Sequence, residues 1–232
     1  NMLLAGDSVE MVVCGMDTTQ NVDLSMIIQH GRAVMRRWKS ALVVIDLRAG
    51  SYENSPKQAL VSANEIITKT GADAVKREGG ADFAPHVKCL VEFGIHALEH
   101  IGLLPQRTME GMTFRIKGCT ANETTQLHHD SDVLADAGVF GIVMKGIVEC
   151  VAASIAKSSK VLTIGIGASA TCDGQILVTY DMLGLYDAFK PKFVRNFTNL
   201  QDEISCAAEC YCATVVGGSF PAKDHLFLPK KV

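Results

Sequence analysis

Residues 41–78 read ALVVIDLRAGSYENSPKQALVSANEIITKTGADAVKRE, and this stretch decides the fold. An apolar run at 41–45 closes on Asp46. After a polar connection, Ser55-Pro56 supplies a helix cap and a first-turn proline, and the helical segment 56–69 stops at Gly71. A second apolar run, 73–76, follows at once and leads to Glu78. Strand, helix and strand in this order predict two parallel neighbours joined by a helical crossover.

The same alternation extends in both directions. Further strand-like runs lie at 2–5, 95–98, 141–144 and 161–164. Helical segments are expected at 24–36, 123–137 (ending at Gly138), 147–156 and 202–215 (ending at Gly217-Gly218). Each strand-like run is almost wholly apolar, as expected when both faces of a sheet are covered. No linker rich in Pro, Gly or Ser divides the chain, so residues 1–232 read as one α/β domain.

Composition narrows the class. The 232 residues are 48% hydrophobic and 20% charged, with a formal net charge of −3, which excludes disordered and collagen-like chains. Lys and Arg are scattered, so nothing favours nucleic acid as a partner. No run reaches the roughly 18–20 apolar residues of a membrane span, and no cationic start with an apolar run behind it marks a signal peptide. The eight cysteines form no CxxC pair, which predicts free thiols in a reducing, cytoplasmic setting. Cys206, Cys210 and Cys212 are expected half-buried on a helix. His128-His129-Asp130 carries the ligand types of a metal site, but it reads as part of an exposed helix.

The polar residues fall at telling places. Gly6-Asp7-Ser8 follows the first run, Asp46 ends the second, Lys76 and Glu78 the third, and Glu99-His100 the fourth. Lys145 ends the fifth, and Gly165-Ile166-Gly167 the sixth. Carboxyl ends of successive parallel strands converge on one mouth in a (β/α)8 TIM barrel, whereas a doubly wound sheet spreads them along a crevice. Asp7, Asp46 and Glu78 offer only oxygen donors, a set suited to Mg2+. Taken singly, each carboxylate could equally cap a helix or pair with a lysine. Lys76, two residues before Glu78, either holds a substrate carboxylate or neutralises the acidic cluster. Gly165-Ile166-Gly167 lacks the further glycine of a dinucleotide fingerprint, and instead allows close approach of backbone to a ligand or a neighbouring strand.

An ordered series of stretches resembles the ketopantoate hydroxymethyltransferase family. It comprises Gly6-Asp7-Ser8 with Asp17-Thr18-Thr19, then His30 to Val34, Asp46-Leu47 with Gly50-Ser51-Tyr52, and Gly71 to Lys76 with Glu78-Gly79-Gly80. It continues through His100 to Leu103 with Pro105-Gln106, Ile164 to Ala168, Asp173 to Val178, Phe189 to Val194, and Phe220-Pro221-Ala222 with His225. The resemblance implies a (β/α)8 barrel and a homo-oligomer, a decamer of two pentameric rings. It implies transfer of a one-carbon unit from 5,10-methylenetetrahydrofolate, the co-substrate, to 3-methyl-2-oxobutanoate, giving 2-dehydropantoate for pantothenate and coenzyme A synthesis. It further implies Mg2+ at Asp7, Asp46 and Glu78, directly or through water, keto-acid contacts from Ser8, Asp46 and Lys76, and His100 in the catalytic set.

The chain also departs from the family pattern. The family's proton-transfer glutamate is matched by Lys145, and three neighbouring carboxylates are expected to raise that lysine's pKa and keep it charged. Glu149, four residues on, is expected to point elsewhere. Glu10 and Glu99 stand at glycine positions, Arg48 at a proline, Arg77 at an aliphatic and Leu104 at a threonine. Met112-Thr113 replaces a glycine pair, and Cys119 a basic residue. Glu99 is expected to crowd the barrel mouth and to need a partner. The chain opens at what matches the second barrel strand, so the first strand and helix are expected to be missing, with a last strand near 192–197. Two alternatives follow: a weakened or inactive barrel subunit of this family, or another Mg2+/2-oxo-acid barrel enzyme of the phosphoenolpyruvate mutase and isocitrate lyase type.

Overall fold

The computed structural model describes residues 1–16, 23–37, 40–107, 115–186 and 190–228. In chain order the elements are β1 (Met2–Ala5), α1 (Val9–Val12), α2 (Leu24–Arg37), β2 (Leu42–Asp46), α3 (Pro56–Thr70), β3 (Ala74–Glu78), α4 (Ala84–Glu92) and β4 (His96–Gly102). Then come α5 (Ala121–Ala137), β5 (Gly141–Lys145), α6 (Glu149–Ser158), β6 (Leu162–Ile166), β7 (Gly174–Gln175), α7 (Thr179–Leu183) and α8 (Leu200–Val216). The chain divides into two compact units, Asn1–Ile176 and Leu177–Val232. The family-like stretches at Asp17-Thr18-Thr19 and Phe189, and the substitution at Met112-Thr113, lie outside the described residues.

In the first unit the seven strands pair in parallel and in strict sequence order, β1 to β7. Each strand beside its predecessor, with helices in the crossovers from β1 to β6, is barrel winding; a doubly wound sheet would reverse its order partway. The register separates two faces. Val44, Ala74, Leu98, Val143 and Ile166 pack together with Leu4 and Ile164 on the concave face. Val43, Ile45, Val75, Ala97, Ile101, Ile142 and Met144 pack with helix residues such as Ile27, Ala63, Ile66, Val87, Leu134 and Ile155 on the other. Buried on both sides, the strands need no polar alternation until their carboxyl ends.

Local signals explain the ends of α3 and the start of α5. The Ser55 hydroxyl accepts from Gln58 N at 3.2 Å with Pro56 in the first turn, and Gly71 closes α3 at φ 77°. Thr120 caps α5 through Glu123 N, which sets its start two residues before the expected 123.

The structure corrects several expectations. Strands β2 to β6 run one to four residues further than the apolar runs, because the ladder needs only backbone amides and carbonyls. Asp46, Glu78, His100 and Lys145, which follow the apolar runs, are therefore themselves strand residues, as is Lys76, the last residue of its run. Helix α4 went unread; Gly79-Gly80 before it and Pro85 in its first turn masked a short apolar face. Strand β7 has only two residues and no apolar run to reveal it. Residues 192–197 form no strand: Val194 N bonds to Pro191 O in a turn instead.

In the second unit, Gly184 ends α7 at φ 64°, and a Cβ there would stand 2.5 Å from Thr198 O. Met182 O accepts from Phe197 N, and Phe220 meets Tyr211 edge-on and lies tilted against His225. Cys206, Cys210 and Cys212 of α8 are free and exposed, not half-buried as expected. No described helix is long and apolar enough to cross a membrane.

Candidate active site

The concave face carries its polar groups in one layer. Successive strand residues alternate faces, so the pairs Val44 and Asp46, Ala74 and Lys76, Leu98 and His100, and Val143 and Lys145 each share the inner side. The register sets Asp46 opposite Lys76, Glu78 opposite His100, and Lys145 opposite Gly102. The apolar layer thus forms the floor, and two carboxylates, two lysines and an imidazole stand above it.

Lys76 Nζ lies 2.5 Å from Asp46 Oδ1, and Glu78 Oε1 lies 3.1 Å from His100 Nδ1; all four side chains are buried. Burial, assisted by Asp7 and Glu78, pushes the Asp46 carboxyl up to about 7 even though Lys76 acts against it. Burial alone would lower Lys76, but Asp46, Glu78 and Asp7 outweigh it and hold the ammonium well above its ordinary range. Burial would likewise raise Glu78, yet His100, Lys76 and the Gln106 amide bring it to about 2. Burial keeps His100 below its usual value against the pull of Glu78.

Asp7 reaches this layer from the turn after β1, where its backbone N donates to Asp46 Oδ2 at 3.3 Å. Gly6 makes the approach possible: a Cβ there would stand 2.6 Å from Asp46 Oδ2. Ser8 caps α1 by position but does not spend its hydroxyl on the cap. Gln106 joins the carboxylates. Its backbone N donates to Glu78 Oε2 at 3.0 Å, and its amide donates to Asp7 Oδ2 at 2.9 Å and Leu47 O at 3.1 Å. The fully buried Tyr52 hydroxyl donates toward Gln106 Oε1 at 2.9 Å and Glu78 O at 3.1 Å. Neither residue stood among the site candidates read from sequence. A neutral amide and a phenol in loops leave no charge pattern, and only their places in the family-like series marked them.

The structure reverses the expectation for Lys145. Burial, helped by the Lys76 ammonium, lowers its pKa against the pull of Glu78, Asp7 and Asp46. Position over the apolar floor outweighs the count of nearby charges. Glu149 is engaged elsewhere, as expected, accepting from Ser169 Oγ at 2.9 Å.

Two apparent misfits prove to be partners. Arg77 and Glu99 are paired in register on the helix-facing side of β3 and β4, so Glu99 does not crowd the mouth. Arg77 Nη2 and Nε reach Glu99 Oε1 at 2.8 and 3.0 Å, and the guanidinium lies 4.7 Å from the Phe83 ring centroid. Burial raises Glu99 to about 7 despite the guanidinium beside it. Gly165 lies close against a neighbouring strand: a Cβ there would stand 2.8 Å from Gln175 Oε1.

The donor set Asp7, Asp46 and Glu78 fits Mg2+ in kind. As the side chains stand, Asp46 faces Lys76 and Glu78 faces His100. Among the described residues no three His, Cys, Asp or Glu side chains group so as to hold a metal ion. That finding covers His128-His129-Asp130, whose Asp130 instead accepts from Ala81 N at 2.8 Å. Mg2+ asks for less: it commonly takes one or two carboxylates and fills its shell with water and substrate oxygens. Asp7 and Asp46 are two carboxylate residues that adjoin, through the Asp7 backbone N.

Fold and site together define an α/β barrel protein with an acid-and-lysine site at the carboxyl ends of its strands. Two solved Burkholderia cenocepacia structures share the fold. One, named as a phosphonomutase, matches at TM-score 0.52 and 12% identity over 71% of this chain and 68% of its own. The other, named as a lyase or mutase, matches at TM-score 0.50 and 12% identity over 99% and 80%. Sequence comparison gives the family. Residues 1–223 match the ketopantoate hydroxymethyltransferase family model. The chain is 46% identical over 231 residues to the 3-methyl-2-oxobutanoate hydroxymethyltransferase of Sinorhizobium medicae, covering all of this chain and 85% of that one. It is 45% identical over 232 residues to that of Rhodospirillum rubrum, covering 100% and 84%. The chain belongs to the ketopantoate hydroxymethyltransferase family.

Proposed function

We propose that this chain transfers a hydroxymethyl group from 5,10-methylenetetrahydrofolate to 3-methyl-2-oxobutanoate, giving 2-dehydropantoate. The observation that carries the reading is the polar layer itself: Asp7 and Glu78 linked through Gln106, Asp46 joined to the Asp7 backbone N, and beside them a lysine held charged over an apolar floor. Asp7 and Asp46 would hold Mg2+, with Glu78 acting through water. Bound there, Mg2+ supplies Lewis-acid polarisation of the keto oxygen, which acidifies the neighbouring C–H.

The protein's own groups do the rest. The Lys76 ammonium attracts the substrate carboxylate, and the unspent Ser8 hydroxyl donates to it. The apolar floor of Val44, Leu98 and Val143 suits the branched hydrocarbon end of the acid. His100 brings Nδ1 to 3.1 Å from Glu78 Oε1, and among the described residues Nε2 makes no hydrogen bond, so Nε2 is the group to accept a proton from C3. Lys145 faces the same space from β5. The decameric homo-oligomer and the cytoplasmic setting rest on the family resemblance. One observation favours a second reading, a weakened or inactive subunit: a lysine occupies the family's glutamate position.

The test is turnover with 3-methyl-2-oxobutanoate, methylenetetrahydrofolate and Mg2+, beside calorimetric Mg2+ titration of the protein and of Asp46→Asn. We expect folate-dependent product that EDTA abolishes, and Mg2+ affinity lowered at least roughly 10-fold in the variant. Mg2+ binding without product supports the inactive subunit, and turnover without folate supports the mutase-type enzyme. Unchanged Mg2+ affinity in Asp46→Asn refutes the metal assignment.

A further inference from the structure

The two lysines of the site are not equivalent. Lys76 is paired with Asp46 through one of its three donors. Among the described residues no hydrogen bond or ion pair engages the Lys145 ammonium, although the side chain is largely buried. It projects inward from the last residue of β5, above Val143 and beside Ile166, with which it pairs in register. Desolvation and a second cation nearby are the two established ways in which a protein turns lysine into a nucleophile, and Lys145 has both. A 2-oxo acid whose carboxylate is held by Lys76 presents a ketone carbon to this same inner layer.

We propose that Lys145 Nζ condenses with the ketone carbon of the 2-oxo acid and holds it covalently as an imine. This rests on the reading of the substrate as a 2-oxo acid given above. The nitrogen lone pair forms the N–C2 bond, the C2–O bond breaks, and both amine hydrogens leave with the oxygen as water. No oxidant, reductant or further reactant enters. The enamine tautomer of the adduct carries its nucleophilic electron pair on C3, the carbon that gains the hydroxymethyl group. The adduct is thus the electron sink that a polarised keto oxygen otherwise provides, and His100 Nε2 remains the base at C3.

The experiment treats the full chain with 3-methyl-2-oxobutanoate and sodium borohydride, then maps its peptides by mass. The expected result is a gain equal to the acid less one oxygen on the peptide containing Lys145, lost in both Lys145→Met and Lys145→Gln. The label is read on the unaltered chain, so the outcome does not depend on either variant folding. Absence of label at Lys145, or equal labelling of Lys76 and surface lysines, overturns the proposal. Folate-dependent product without label keeps the hydroxymethyl-transfer reading and overturns the imine. Label at Lys145 without folate-dependent product supports the imine and defeats the transfer reading.

Discussion

The Arg77–Glu99 pair offers the sharpest test of how the site is supported. Arg77 is 1% exposed and Glu99 0%, so neither charge can turn to water if its partner is removed. Arg77→Met leaves a buried carboxylate, and Glu99→Leu leaves a buried guanidinium; each should cost about 3–5 kcal/mol. The double variant replaces an ion pair with hydrocarbon of similar volume and should lie within about 2 kcal/mol of the parent. For a chain of this size the single variants correspond to a fall in Tm of roughly 6–20 °C. The two singles should also differ in their response to pH. Glu99 already has a folded pKa raised to about 7 from an ordinary 4.5. A raised carboxyl stabilises the fold fully below its unfolded value and loses that contribution as pH rises through the folded one. The Arg77→Met penalty should therefore be small near pH 5 and large near pH 8, whereas the Glu99→Leu penalty should shrink over the same range, because the guanidinium keeps its proton throughout and the parent alone loses the stability tied to protonated Glu99. Urea unfolding followed by circular dichroism, repeated at both pH values on all four proteins, measures this. Single-variant costs that simply add in the double, to within about 0.5 kcal/mol, would refute the reasoning.

Two further substitutions probe the site. Gln106→Leu removes the amide that ties Asp7 to Leu47 O and the acceptor of the Tyr52 hydroxyl, and should lower kcat/KM roughly 10–100-fold with little change in secondary structure; unaltered kinetics would show that the bridge is incidental. Gly6→Ala puts a methyl group 2.6 Å from Asp46 Oδ2, so the carboxylate must shift; Mg2+ affinity should fall at least roughly 10-fold in calorimetry, and an unchanged value would show the approach to be unnecessary.

The fold was legible because parallel strands buried on both faces leave apolar runs, and because caps such as Ser55-Pro56 and Gly71 punctuate the helices. The inner layer was legible for a related reason. Asp46, Lys76, Glu78, His100 and Lys145 interrupt apolar runs at their carboxyl ends, and sequential parallel winding brings those ends together. What sequence hides is register and depth. Arg77 and Glu99 look like separate misfits until the β3–β4 pairing sets them side by side. The direction of the Lys145 shift depends on burial, which a count of nearby charges does not show. Gln106 and Tyr52 carry no charge and sit in connections, so composition gives no reason to choose them. Strand β7 and helix α4 are too short, or too interrupted by glycine and proline, to stand out.

Strand β3 places Lys76, Arg77 and Glu78 in succession on a strand that is buried throughout. Two of the three address the concave face, and the middle one addresses the helices. A slip of one residue against β4 would carry Lys76 and Glu78 outward and Arg77 inward, stranding three ions away from the groups that balance them. Hydrocarbon residues forgive such an error far more readily. The charges that serve the site therefore also act as an alignment key during assembly of the sheet. Insertion or deletion of a single residue within Ala74–Glu78 should be among the changes this chain tolerates least.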